Sequence, residues 1–178
     1  MDLEQFLTNH VRGSSQQRWF IHFTDRSNLE SIRKYGLLST QELKRRKIPV
    51  AAPGGNQWSH EQDERTGMDA YVHLCFKTGH PMEKHALGDG RITDLIHLQI
   101  HPDVIKLPGV NITDDVSNKV GVSVGTAAAM LDKIDLEVLY RRLPWRDPAI
   151  RQRLVVAEKC EILIPDAIPH KLILNPNG

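Results

Sequence analysis

The sequence has few cysteines, no excess charge and no long apolar run, and each absence excludes a class of protein. Only Cys75 and Cys160 occur, each in an apolar, strand-like segment, so we expect buried, reduced thiols rather than a disulfide framework. Lys and Arg number 23 against 22 Asp and Glu, so any nucleic-acid site must be local. No segment has the length of a membrane-spanning helix, and the N-terminus lacks the pattern of a secretion signal. We therefore expect a cytoplasmic protein without membrane contact.

Several common catalytic motifs are also missing. The sequence lacks a Walker-type phosphate loop, a dinucleotide-binding glycine fingerprint and a serine elbow, which argues against kinases, Rossmann dehydrogenases and serine hydrolases. The 9 histidines invite a metal site. However, His97 and His101 lie in an alternating, strand-like segment, where a spacing of four separates side chains by roughly 13 Å. His60-Glu61 is not followed by the second histidine of the metalloprotease helix. We expect no metal.

What the sequence does contain is enough apolar material for one core. It has 178 residues, of which 40% are hydrophobic, so we expect a single domain over residues 1–178. The segment 48–68 is rich in proline, glycine and polar residues and predicts a long irregular loop. β-Branched and aromatic residues predict strands at 19–24, 71–76, 94–100, 154–164 and 172–174.

Helices are predicted from apolar periodicity and from terminal signals. Residues 2–9 predict a short amphipathic helix, and residues 126–142 a helical region divided at Asp135. Between them, Ser27 and Glu30 form a capping-box pattern, and Gly36 is a stop signal nine residues after Ser27. A further short helix is predicted from near Thr40. Strands and helices in this order indicate an α+β domain rather than a doubly wound sheet.

A carboxylate near the C-terminus is the first candidate for chemistry. With strand alternation, Glu161 shares a face with Lys159 and Leu163, whereas Glu158 lies on the opposite face. Glu161 either points to solvent or faces a cleft, where partial desolvation would raise its pKa and suit it to catalysis. The pattern alone leaves both alternatives open.

Two other features have both a functional and a structural interpretation. If the first strand ends beside a helix N-terminus, His22, Thr24 and Asn28 could converge on a polar ligand, or Thr24 and Asn28 could merely satisfy the turn. Arg65 lies in the predicted loop before the strand that begins at Tyr71. Its guanidinium suits a phosphate or a base edge, or forms a surface salt bridge of little consequence.

Together these segments resemble DarT-type ADP-ribosyltransferases. The opening of that family has a strand ending in His, any residue and Thr, followed by Asn-Leu, an Ile and a Gly-Leu-Leu-Ser-like turn. The loop arginine is matched by Arg65, the catalytic glutamate by Glu161 and the closing Ile-Pro by Ile168-Pro169. The residues that match the opening are His22, Thr24, Asn28, Leu29, Ile32, Gly36, Leu37 and Ser39.

The resemblance implies an α+β, ADP-ribosyltransferase-like fold, a split mixed β-sheet core with flanking helices, whose cleft binds NAD as substrate. It places NAD against His22, Thr24, Asn28 and Tyr71. It also implies that Glu161 stabilises the ribose cation and is a candidate to accept the proton of the attacking base.

The implied acceptor is single-stranded DNA, and the implied biological role is the toxin of a toxin–antitoxin pair with a macrodomain antitoxin. Arg65 would position the incoming base or the diphosphate. Two alternatives stay open: a transferase of the same fold that acts on RNA or protein, and a noncatalytic nucleotide- or nucleic-acid-binding module in which Glu161 is only structural.

Overall fold

A six-stranded sheet with helices around it forms the centre of the computed structural model, which describes residues 1–177. Its strand order is β4-β1-β3-β7-β5-β6, and β2 pairs with β8 in a small second sheet. The strands are β1 Phe20–Asp25, β2 Leu37–Leu38, β3 Tyr71–Cys75, β4 Leu95–Ile100, β5 Asn111–Thr113, β6 Val124–Thr126, β7 Glu161–Pro165 and β8 Ala167–Ile168.

The α-helices lie between and after these strands. They are α1 Leu3–Phe6, α2 Leu29–Tyr35, α3 Thr40–Arg45, α4 Gln57–Thr66, α5 Pro81–Gly88, α6 Ala127–Met130, α7 Leu136–Tyr140 and α8 Pro148–Ala157. Leu7–Arg12 continues α1 as a π-helix. Within residues 1–177, every helix is too short or too polar to traverse a bilayer.

The α+β class predicted from the sequence is confirmed. The strand directions refine the expected mixed sheet, because all pairings between neighbouring strands of the main sheet are antiparallel. In the centre of the sheet, β3 pairs with β7 so that Cys75 lies opposite Glu161. Both cysteines are buried free thiols, as predicted.

Aromatic side chains form the part of the core that covers one face of the sheet. Phe6, Phe20 and Phe76 are buried, and their ring centroids lie 5.9 to 6.5 Å apart. In β4, burial alternates as the sequence predicts: Ile96, Leu98 and Ile100 point into the core. This packing fixes the inner strands, and the opposite face is left to line a cavity.

The helix signals read from the sequence are correct at most ends, with one exception at α2. Gly36 ends α2 with φ of +79°, and a Cβ there would lie 2.7 Å from the Ile168 carbonyl oxygen. Asp135 caps α7. The predicted cap by Ser27 is wrong, because the Asp25 carboxylate accepts the backbone N–H and the hydroxyl of Ser27 at 2.9 and 2.7 Å. An intervening 3₁₀ turn, Arg26–Asn28, then leads into the helix.

Three further secondary-structure predictions are wrong. The predicted loop 48–68 contains α4, which begins at an Asn56 cap and ends at the left-handed Gly67. The first half of the predicted strand 154–164 belongs to α8, started by Asp147 and Pro148, which is the stronger local signal. In place of the predicted strand 172–174, Leu172 ends a 3₁₀ turn, and Ile173 forms a single β-bridge with Ile100.

Candidate active site

A large cavity lies over the free face of the central strands and has a volume of about 990 Å³. We call it the main cavity. Its walls come from β1, α2, the segment 47–64, β3 and the first residue of β7. A volume of this size suits a ligand as large as a dinucleotide. Of the six residues singled out from the sequence, it brings together His22, Thr24, Asn28, Tyr71 and Glu161.

Glu161 faces the main cavity rather than solvent. It is the first residue of β7, and its side chain is 6% exposed. Its backbone N–H donates to Thr113 Oγ1 at 3.0 Å, which fixes the start of the strand beside β5. Its Oε2 accepts the backbone N–H of Ser117 at 3.1 Å. Of the two alternatives left by the sequence, the structure selects the cleft.

Two histidines hold the carboxylate of Glu161, and neither was singled out from the sequence. His73 Nδ1 lies 3.3 Å from Oε2, and His80 Nε2 lies 3.3 Å from Oε1. His80 Nδ1 accepts the N–H of Met82 at 3.2 Å, so the ring hydrogen is on Nε2, which also lies 3.4 Å from the Lys159 carbonyl. His73 could have been found, because it lies two residues after Tyr71 on the same face of β3. His80 precedes a helix and carries no such signal.

Glu161 and His73 form a charged pair. His73 Nε2 contacts the Met68 carbonyl at 3.1 Å and Nδ1 contacts the Glu161 carboxylate, so both nitrogens face acceptors and the doubly protonated ring fits best. Burial alone would lower the pKa of His73, but the hydrogen bond and charge of Glu161 outweigh it and raise the pKa to about 9. Burial would raise the pKa of Glu161, but His73 outweighs that effect and the pKa is lowered. The sequence-based expectation of a raised pKa for a cleft-facing Glu161 is therefore wrong.

This pair should make the stability of the fold depend on pH. The folded-state pKa of His73, about 9, lies above the ordinary value of 6.5, so its contribution is complete below pH 6.5 and is lost as the pH rises through 9. We expect the difference in unfolding free energy between wild type and His73→Gln to be largest at mildly acidic pH and to shrink across that window. Urea denaturation at several pH values measures it. A difference that stays constant with pH would contradict the ion pair.

The side chain of Asn28 uses all of its hydrogen-bonding groups within the protein, so it has none left for a ligand. Its amide nitrogen donates to Thr24 Oγ1 at 3.0 Å and to the Ala52 carbonyl at 2.7 Å. Its amide oxygen accepts the N–H groups of Ala51 and Ala52. With both hydrogens and both lone pairs used, Asn28 fastens the 49–55 segment to the start of α2. That segment forms the rim of the main cavity.

His22, Thr24 and Tyr71 each keep a group that is free to contact a ligand. His22 Nδ1 lies 3.0 Å from the His73 carbonyl and therefore carries the hydrogen, which leaves Nε2 as an acceptor. The Thr24 hydroxyl accepts from Asn28 and still has its own hydrogen to donate. The Tyr71 hydroxyl lies 3.3 Å from Asn111 Nδ2, and its half-buried ring lines the cavity wall.

Arg65 is not brought to the main cavity with the others. Because α4 is a helix, residues 57, 59, 60, 61, 63 and 64 line the cavity, while Trp58, Gln62 and Arg65 share the outer face. Arg65 hydrogen-bonds to Gln62 and is exposed. The guanidinium that does line the cavity is Arg91, which is held by Asp89 at 2.8 Å and by the Gly54 carbonyl. Nothing in the sequence around Arg91 distinguished it.

Comparison with known families gives one match. The family model described as "ssDNA thymidine ADP-ribosyltransferase, DarT" matches residues 21–175, which include every residue of the site described above. No curated protein matches the sequence.

Comparison with solved structures gives the same fold. DarT of Thermus sp. 2.9 in complex with ADP-ribosylated ssDNA aligns with a TM-score of 0.64 at 20% identity, over 86% of this chain and 78% of that chain. The same protein with NAD+ aligns at 0.57 and 21% identity, with the same coverage. Thermosipho africanus DarTG in complex with ADP-ribose aligns at 0.65 and 17% identity, over 87% of this chain. The present chain spans 42% of that longer protein.

Proposed function

Because the chain belongs to the DarT family of ssDNA thymidine ADP-ribosyltransferases, we propose that it transfers ADP-ribose from NAD to a thymidine base of single-stranded DNA. The family predicted from the sequence is thereby confirmed. The observation that carries the proposed activity is Glu161, a buried carboxylate held by two histidines at a cavity of about 990 Å³. The NAD-bound and DNA-bound states of the Thermus protein are consistent with the same substrates.

The chemistry proposed for Glu161 is electrostatic. When the bond between nicotinamide and ribose breaks, positive charge develops on the ribose and the electron pair leaves with the nicotinamide nitrogen. A carboxylate fixed beside that charge stabilises the transition state without having to reorganise. His73, His80 and the Ser117 amide hold the carboxylate in place. They also keep it ionised, which this role requires.

The remaining residues of the main cavity suit the rest of NAD. We assign His22 Nε2, the Thr24 hydroxyl and the Tyr71 ring to direct contacts, and Asn28 to holding the rim. Arg91, Lys44 and Lys47 are the lysine and arginine side chains on the wall that could meet the diphosphate, a role to which a guanidinium is well suited. The catalytic role of Arg65 stays a prediction. Because Arg65 lies on the outer face of α4, that role would be contact with the acceptor strand rather than with NAD.

Arg65 and Trp58 share the outer face of α4 and suit the acceptor strand better than NAD. Trp58 is 58% exposed, so its ring is accessible for stacking with an unpaired base. An aromatic ring beside a guanidinium is a common combination for unpaired bases and their phosphates. We propose that this face receives the single-stranded DNA at the entrance to the main cavity.

The biological role follows from the activity. An enzyme that modifies thymidine in single-stranded DNA would block replication, which fits the toxin of a toxin–antitoxin pair acting in the cytoplasm. A macrodomain antitoxin that removes ADP-ribose is the partner we propose, on the basis of the family resemblance.

The proposed activity is tested by mass spectrometry of oligonucleotides after incubation with NAD. Four single strands, each lacking one base, should all gain an ADP-ribosyl adduct except the strand without thymidine. The matched duplexes, an RNA strand and the protein itself should gain none or much less. Adducts on RNA or protein but not on DNA would overturn the choice of acceptor, and a failure to release nicotinamide with any acceptor would overturn the activity.

A further inference from the structure

A second carboxylate, Asp63, belongs to the main cavity. It lies on the inner side of α4 and lines the same cavity as Glu161. Its Oδ1 is fully buried and has no hydrogen-bond partner. A buried carboxylate oxygen without a partner costs free energy, and most buried polar atoms are paired. The protein therefore gives this oxygen no hydrogen bond that would favour the ionised carboxylate, in contrast to the oxygens of Glu161.

The surroundings of Asp63 oppose its ionisation. Burial is the largest effect, and the charges of Glu161 on β7 and Asp69 in the turn after α4 act in the same direction. The protonated His73 on β3 acts against them. The result is a pKa raised to about 6. Glu161, in the same cavity, has its pKa lowered. Two carboxylates whose pKa values are displaced in opposite directions commonly divide the charge-stabilising and proton-accepting roles between them.

Glu161 is poorly suited to accept a proton itself. Its Oε2 accepts from the Ser117 amide and from His73 Nδ1, and its Oε1 lies 3.3 Å from His80 Nε2. These contacts favour the ionised form, so protonation of Glu161 would act against them. Asp63 has an oxygen with no donor at all. The resemblance made Glu161 the candidate proton acceptor, whereas the geometry makes Asp63 the better one.

We propose that Asp63 is the general base that accepts the proton of the thymine ring, with Glu161 confined to stabilising the ribose cation. This inference rests on the proposed transfer to thymidine. The only ring nitrogen of thymidine that bears a hydrogen is N3. As the N3–H proton moves to the Asp63 carboxylate, the N3 electron pair forms the bond to ribose C1′, and the bond from C1′ to nicotinamide breaks with its electrons on the nicotinamide nitrogen. Asp63 then returns the proton to water.

The test compares two acceptors that differ in N3 acidity. Fluorine at C5 makes N3–H more acidic, so a strand carrying 5-fluoro-2′-deoxyuridine depends less on a base. We expect Asp63→Asn to slow single-turnover transfer to thymidine by about 10²- to 10⁴-fold and to slow transfer to the fluorinated strand much less. The wild-type rate on thymidine should rise with pH through about 6. This rise, the acid limb of the pH–rate profile, should be absent in Asp63→Asn.

Asp69→Asn is the matched control, because it removes the same charge nearby and Asp69 does not line the cavity. It should transfer at a rate close to that of wild type. Equal losses of Asp63→Asn on both acceptors, or an unchanged acid limb, would overturn the role of Asp63. Circular dichroism and NAD binding identify a misfolded variant, in which case Asp63→Glu on the same two acceptors decides. Absence of transfer by the wild-type protein would instead overturn the proposed function.

Discussion

Glu161→Gln is expected to lower ADP-ribosyl transfer by about 10³-fold, the upper range for losing a preorganised electrostatic partner of a transition state. Glutamine keeps the shape of the side chain but removes the negative charge opposite the developing ribose cation. His73 then faces a neutral amide, so the site loses attraction for positive charge at the place where it forms. Nicotinamide release under single-turnover conditions measures the loss, and growth inhibition on expression should disappear with it.

Glu158→Gln is the control for this substitution. Glu158 follows α8 three residues before Glu161, has a side chain that is 10% exposed and pairs with Lys84 at 3.2 Å, but it does not line the main cavity. Its variant should cleave NAD at a rate comparable to that of wild type. If Glu161→Gln retains both NAD cleavage and growth inhibition, Glu161 is only structural, and the noncatalytic binding module left open by the sequence becomes the better account.

Phe20→Ala should have the largest effect on stability, about 3–5 kcal/mol, the range for removing a large buried aromatic side chain. Phe20 is fully buried and its ring packs against those of Phe6 and Phe76, at centroid distances of 6.5 and 5.9 Å. The loss would leave a cavity where the N-terminal helix meets the sheet.

Urea denaturation measures this loss of unfolding free energy from the urea concentration at the midpoint of unfolding and from the dependence of the free energy on urea concentration. Val155→Ala is the matched control, since Val155 lies on α8 and is 45% exposed. It should change the unfolding free energy by no more than about 0.5 kcal/mol. A loss for Phe20→Ala no larger than that of the control would mean that the aromatic cluster does not hold the N-terminal helix to the sheet.

The sequence was most informative where a local pattern has a single physical meaning. The alternation of residues 94–100 correctly predicted the strand β4, and Gly36 and Asp135 marked helix ends correctly. The resemblance of three segments, those around the first strand, around Arg65 and around Glu161, predicted the family, which the family match confirms. Glu161 could be placed on a strand from its neighbours, but the side of the strand that faces a cavity depends on what packs over it. That information is tertiary.

The errors have a common physical origin in segments whose hydrophobic pattern is uninformative. Helix α4 has almost no apolar periodicity, because Trp58 is its only large apolar residue and is exposed; its end caps define it instead. The β-branched residues near the end of α8 suggested a strand, yet Val155 and Val156 lie on an exposed helical surface. The first error also affects function: as part of a loop, Arg65 could reach the cavity, whereas on α4 it faces outward.

The most direct measurement is a structure of the protein with NAD or a non-hydrolysable analogue bound. The proposed function predicts that the ligand fills the main cavity, with the nicotinamide ribose against the Glu161 carboxylate and with His22, Thr24 and Tyr71 in contact. It further predicts an open path from the ribose to Asp63 and to the outer face that carries Trp58 and Arg65. A ligand bound elsewhere, or bound here with its ribose remote from Glu161, would contradict the account.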